Sequence, residues 1–242
     1  MKLTRTATVV ARVVLVAGVV SAEPSAYQGA AQAYVTALDR LTSGARDVSL
    51  EDVYSLGVRL GEALLSPTSN FEGMPASEFQ ALYRRLPGFM LSREEVLIAR
   101  PEPAYFLDLA KRHGQPVDRA FFALHTRTRP GGVWPVYVQQ QTDYSGCTLF
   151  GQGNLVDSYR SWRHFRDEFP RGYSAFVSDA LADIEDKVAQ STCACGDADS
   201  VSRELAEFAR AFPESAAAGA AATRARAVQE RRSTIRFNCV SG

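Results

Sequence analysis

The chain has 242 residues, with 27 basic against 27 acidic side chains and 46% hydrophobic content. A formal charge of zero argues against non-specific nucleic-acid binding, which draws on a clear basic excess. The length allows one domain with a sizeable core or two small ones.

The first residues follow an export pattern. Lys2, Arg5 and Arg12 are basic, residues 13–20 form a short apolar run, and Val20, Ser21 and Ala22 end in small side chains. Spanning a bilayer takes about 20 apolar residues, so this run predicts a secretory signal and not an anchor. The expectation is a signal over residues 1–22, cleaved between Ala22 and Glu23, then one mainly helical exported domain over 23–242, periplasmic or secreted. No later segment has the length and apolarity of a membrane span.

Helices dominate the reading that follows. Residues 25–43 place Tyr27, Ala31, Tyr34, Leu38 and Leu41 on one face. Ser49, with Asp52 three residues on, predicts a capped second helix carrying Leu50, Val53, Leu56, Leu60 and Leu64. Gly57 and Gly61 lie four apart on it, a spacing that lets another backbone approach. Ser77 starts a short helix ending at Pro87 and Gly88. Ser92 and Glu95 suit a cap, while Val96, Leu97 and Ile98 suit a short strand equally well. Pro103 and Pro116 each open a helix.

Residues 134–169 form the centre of the reading, with both tryptophans and the densest aromatic run. Over 133–140, Trp134, Val136 and Val138 alternate as on a strand face, and Pro135 makes it an edge strand or strand entry. A turn is expected at 143–146. Asn154 then caps a helix bearing Leu155, Tyr159, Trp162 and Phe165, stopped by Pro170. Ser174 starts a long helix running toward Cys193, and Ser200 or Ser202 starts another ending at Pro213. An alanine-rich helix follows, expected as a loosely packed or surface arm because alanine offers little apolar area. Alternation over 234–240 predicts a closing strand. The fold class is mainly α, with a small antiparallel β element from the strands near 133–140 and 234–240.

The four cysteines, Cys147, Cys193, Cys195 and Cys239, all follow the signal. An even count in an exported chain predicts disulfides. A Cys193–Cys195 bridge would enclose one residue, against ordinary disulfide geometry. Cys147 is therefore expected to join Cys193 or Cys195, and Cys239 the other. The one-residue spacing of Cys193 and Cys195 differs from that of common zinc sites, so no metal is expected.

Chemistry is sparsely signalled. Asp143-Tyr144-Ser145-Gly146-Cys147 superficially resembles the Asp-Cys-Ser-Gly motif of the NlpC/P60 cell-wall peptidases. Tyr144 occupies the position of that family's nucleophile, and Cys147 lies three residues beyond, so membership is not assigned. Of the histidines, His113 ends a helix, His164 sits on an arginine-rich face, and His125 beside an aromatic cluster is the best general-base candidate. Asp183, Glu185, Asp186, Asp197 and Asp199 read as solvated faces and caps, and the arginines of 224–236 as a solvated face. Trp134, Tyr137 and Tyr144 are the candidate ligand-contact aromatics. Nucleotide, hydrolase-elbow and metalloprotease motifs are absent from the sequence. No cofactor is expected and an enzyme is not indicated. The expectation is an exported soluble binding or structural protein held by two disulfides, its partner an unknown protein or small molecule. The alternatives are a cell-envelope hydrolase using Cys147 or His125, and an inhibitor or immunity-type protein for a secreted enzyme.

Overall fold

The computed structural model describes residues 26–94, 96–142 and 145–239. Signal cleavage at Ala22 and Glu23, Tyr144 of the aromatic set, and Glu95 of the capping pair lie outside them.

The N-terminal half wraps helices around a hairpin. α1 (Ala26–Thr42) lies against α2 (Leu50–Leu65), whose start is the expected capping box: the Asp52 N–H donates to Ser49 Oγ at 3.1 Å, and the Ser49 N–H to Asp52 Oδ2 at 3.0 Å. α3 (Ala76–Arg85) starts behind Pro75, not at Ser77. β1 (Phe89–Arg93) and β2 (Leu97–Pro101) then pair antiparallel, so the 96–98 segment takes its strand alternative and Ser92 lies inside β1. Gly61 of α2 lies against the Ala99 carbonyl, where any Cβ would strike the strand backbone, and a Cβ on Gly57 would stand 2.8 Å from Pro101 Cγ. The two glycines are thus what seats α2 directly on β2. α4 (Pro103–His113) and α5 (Pro116–Thr128) follow, each opened by its proline.

The C-terminal half is built on a four-stranded sheet. β3 (Val138–Thr142) pairs antiparallel with β4 (Ser145–Leu149). α6 (Asn154–Glu168) and α7 (Ser174–Gln190) carry the chain over to β5 (Cys193–Cys195), which runs parallel to β4. α8 (Ala198–Ala211) and α9 (Ala218–Gln229) make a second crossover to β6 (Arg236–Phe237), parallel to β5. Parallel strands require such long connections. Each parallel ladder is only two residue pairs long, and a disulfide fastens each: Cys147–Cys195 across β4 and β5, Cys193–Cys239 beside β5 and β6, with Cα separations of 5.3 and 5.9 Å.

The mainly helical class is as the sequence predicts, but the β part is larger and differently joined. β3 starts at Val138, five residues later than the predicted start. The Val136 N–H donates to the Thr128 carbonyl at the end of α5 and the Val138 N–H to that of Pro135 in a turn, so these bonds replace a ladder here. The two predicted strands occupy opposite edges of the sheet, with β4 and β5 between them. α9 corrects another expectation. Ala218, Ala221, Ala225 and Val228 are buried, and the Ser202 hydroxyl of α8 donates to the Ala225 carbonyl. Alanine's small volume serves close helix approach where large apolar area is not needed.

Two helix ends are capped from a distance, with signs matching the helix dipole. Glu204 of α8, buried, accepts the N–H groups of Leu155 and Gly151 at the start of α6, where Gly153, not Asn154, holds the N-cap position. Arg224 of α9 donates to the carbonyls of Lys187, Val188 and Ser191 at the end of α7. Arg224 is therefore a half-buried C-terminal cap and not part of a solvated face.

The halves meet on α5. Phe121 stacks on Tyr173 at 3.8 Å between centroids and also touches Trp162 and Phe165, while Phe122 reaches Phe106 and Tyr54. One continuous core runs from Tyr27 to Ile235.

Candidate functional site

A cleft of about 290 Å³ opens where the end of α5 meets α6 and α7. Trp162, Phe176 and Ala180 supply its apolar wall; His125, Arg129, Asp179 and Asp183 supply its polar side. The periodicity of α7 puts Phe176, Asp179, Ala180 and Asp183 on one face, three and four residues apart. Arg129 stands at the C-cap of α5, where a cation is favoured by the helix dipole. Larger hollows exist, but the one beside the start of α6 has no aromatic side chain in its lining, and its Arg160 is already paired to Asp157 at 2.6 Å.

Behind the cleft lies a polar network in an aromatic surround. His125 Nε2 is 3.2 Å from the Tyr54 hydroxyl. Burial pushes the Tyr54 pKa up to about 12, so the hydroxyl keeps its proton and has it to donate. The direction of this bond follows the imidazole tautomer, since a tyrosine hydroxyl can also accept, and the other ring nitrogen is Nδ1. That atom is buried and has no hydrogen-bond partner among the described residues. Burial, followed by the positive charges of Arg129 and Arg100, lowers the His125 pKa to about 4. His125 is therefore neutral near pH 7 and a weak general base.

The carboxylates of α7 anchor tyrosines. Tyr137 OH donates to Asp183 Oδ2 at 2.6 Å, and Tyr159 OH to Glu185 Oε1 at 2.6 Å, where Ser215 Oγ also donates at 2.6 Å. Asp183 also lies 3.7 Å from Arg129 and 3.8 Å from Lys187. The reading of Asp183 and Glu185 as solvated thus gives way to one of tyrosine acceptors. Burial is the first cause that raises the Tyr137 pKa, and Asp183 the second.

The residues singled out from sequence are only partly brought together. His125 and Trp162 share the cleft, and Tyr137 reaches its rim through Asp183. Tyr137 itself is buried, so it acts as an anchor and presents no open aromatic face. Trp134 is half-buried in the turn before β3. His113 is exposed at the end of α4, and His164 is exposed on the outer side of α6, 3.7 Å from Glu168. Cys147 is buried and its sulfur is bonded to Cys195, which leaves no thiolate nucleophile there. Asp197 caps α8 by accepting the Ser200 N–H at 2.7 Å. Tyr54, Arg100 and Arg129 come from separate elements and share no local motif by which the sequence could signal them. No cluster of three or more metal-ligating side chains occurs among the described residues, and no helix among them is long and apolar enough to cross a membrane.

Compared with known protein families, curated proteins and solved structures, the chain matches none.

Proposed function

We propose that this is an exported, soluble binding protein whose ligand site is the cleft between α5, α6 and α7. The observation that carries the reading is the cleft itself: a small concave space with an aromatic floor and a few converging polar groups, the ordinary form of a small-molecule site. Catalysis has little support, since the hydroxyl beside His125 is held protonated and every cysteine among the described residues is bridged. Export is supported by the N-terminal pattern and by two disulfides, which persist in oxidising compartments.

Expression in a bacterial host, followed by recovery from periplasm and medium, tests the export step. The mature chain is expected to begin at Glu23; uncleaved protein confined to the cytoplasm overturns export. Native mass spectrometry of the recovered protein tests the binding step. The expected result is a co-purifying small molecule that Ala180→Leu, which fills the cleft, abolishes. A bound molecule that survives this substitution moves the site elsewhere.

A further inference from the structure

Arg100 of β2 and Arg129 at the end of α5 are distant in sequence, yet both guanidiniums donate to the carbonyl oxygen of Val133, at 3.3 and 3.4 Å. Arg100 also donates to the Gly132 carbonyl. Two like charges meeting on one neutral acceptor in a half-buried position are unfavourable without a compensating anion. Burial, and then Arg129, accordingly pull the Arg100 pKa below the usual arginine value. Among the described residues, one carboxylate lies within ion-pair reach of either arginine: Asp183, 3.7 Å from Arg129. It is already engaged by the Tyr137 hydroxyl and lies near Lys187.

Arg129 also keeps spare donor capacity. A guanidinium has five N–H donors. Among the described residues its one hydrogen bond is to the Val133 carbonyl, and the separation from Asp183 exceeds hydrogen-bond length. The side chain is 29% exposed and forms part of the cleft wall, facing the same space as Trp162, Phe176 and Ala180.

The geometry points to a small organic carboxylate as the ligand of this cleft, its carboxylate on the Arg129 fork and its apolar body against Trp162 and Phe176. The assignment rests on the cleft being a ligand site, as proposed above. A planar carboxylate suits one guanidinium through paired N–H···O bonds. Asp179 and Asp183 on the same wall repel any anion, and a singly charged carboxylate meets less of that repulsion than a doubly charged phosphate. The volume of about 290 Å³ suits a single ring or short aliphatic chain beside the carboxylate.

The test compares 3-phenylpropionate with 3-phenylpropionamide on the mature, disulfide-intact protein, by thermal shift and calorimetry. The acid is expected to raise the melting temperature in a concentration-dependent way, the amide to bind about tenfold or more weaker, and sodium sulfate not to reproduce the effect. Arg129→Gln is expected to abolish the preference for acid over amide. Ala180→Leu is expected to remove binding of the acid while the protein still folds. If Arg129→Gln does not fold, the acid–amide contrast and Ala180→Leu decide alone. Equal binding of acid and amide overturns the anion assignment and leaves the cleft as a binding site. Acid binding unchanged in folded Arg129→Gln overturns the assignment to this arginine. No binding of either compound at millimolar concentration overturns the carboxylate proposal, while the co-purification experiment still judges the binding reading separately.

Discussion

The hydroxyl of Tyr173 donates to the Asp118 carboxylate at 2.7 Å in the interior, joining the start of α7 to the start of α5. Asp118 is doubly used, since its other oxygen accepts the Gln115 N–H at 2.6 Å as the α5 cap. Tyr173 adopts a left-handed backbone with φ of 53°, a conformation uncommon for bulky residues. Its hydrogen bond and its stacking on Phe121 are what hold it there. Tyr173→Phe keeps the stacking and leaves the buried carboxylate short of a donor. Urea unfolding is expected to report a loss of about 1–3 kcal/mol, and a midpoint equal to wild type would show that the bond contributes nothing net.

A second expectation concerns acid. The His125 pKa falls from its ordinary value to about 4 on folding. The unfolded chain therefore binds a proton that the folded chain refuses between about pH 6.5 and pH 4. Stability should fall as pH drops through that window and gain no further penalty from this residue below it. The full depression corresponds to about 3 kcal/mol, an upper figure. Because carboxylates also titrate near its lower end, the quantity to measure is the difference between wild type and His125→Gln. That difference should vary between pH 7 and pH 4; a flat difference would mean that His125 is not desolvated as the packing implies.

The helices were legible in the sequence because each carries its own evidence: the Ser49 and Asp52 box, prolines at the first turn, and apolar residues three and four apart. The sheet was less so. Its parallel ladders are two residues long and bring together segments more than forty residues apart, and no local pattern encodes that. Pro135 lies just before the strand, but Val136 bonds back to the end of α5 and Val138 to Pro135 in a turn, so the ladder starts later than alternation suggests. Cysteine spacing leaves two pairings open for a similar reason. Cys193 and Cys195 share the short strand β5, and Cys147 reaches diagonally to Cys195 while its neighbour Thr148 pairs with Ala194. The cleft drew His125 and Trp162 into view through their aromatic context. Arg100, Arg129 and Tyr54 converge only after β2, α5 and α2 have packed.

Glycines offer a paired test of the α2–β2 contact. Gly29 of α1 has no atom within 4 Å of where a Cβ would stand, so Gly29→Ala removes backbone freedom from the unfolded chain without a clash. It is expected to stabilise by about 0.5–1 kcal/mol. Gly61→Ala would drive a methyl into the Ala99 carbonyl and is expected to destabilise by about 1–3 kcal/mol. Thermal melts of the two variants should move in opposite directions. A neutral Gly61→Ala would mean that α2 does not sit directly on the strand.

The two disulfides make the most direct prediction. Peptide mapping without reduction should recover Cys147 linked to Cys195 and Cys193 linked to Cys239, and iodoacetamide should label no native thiol. A Cys147–Cys239 peptide would overturn the sheet order, because β5 separates β4 from β6. The sequence separations are 48 and 46, and closing loops of that size restricts the unfolded chain by about 4 kcal/mol each when taken singly. The loops share only residues 193–195, so the two tethers should act nearly independently. Packing distinguishes them further. Cys147 and Cys195 are buried, whereas Cys193 and Cys239 are half-buried beside a two-residue strand. Removing both sulfurs of the inner pair, as Cys147→Ala with Cys195→Ala, subtracts core packing as well as the tether. Cys193→Ser with Cys239→Ser loses the tether and loosens β6 with little loss of core. Urea midpoints should therefore fall further for the inner pair, and hydrogen exchange in the outer variant should rise around 236–239 and not in α6 or α7.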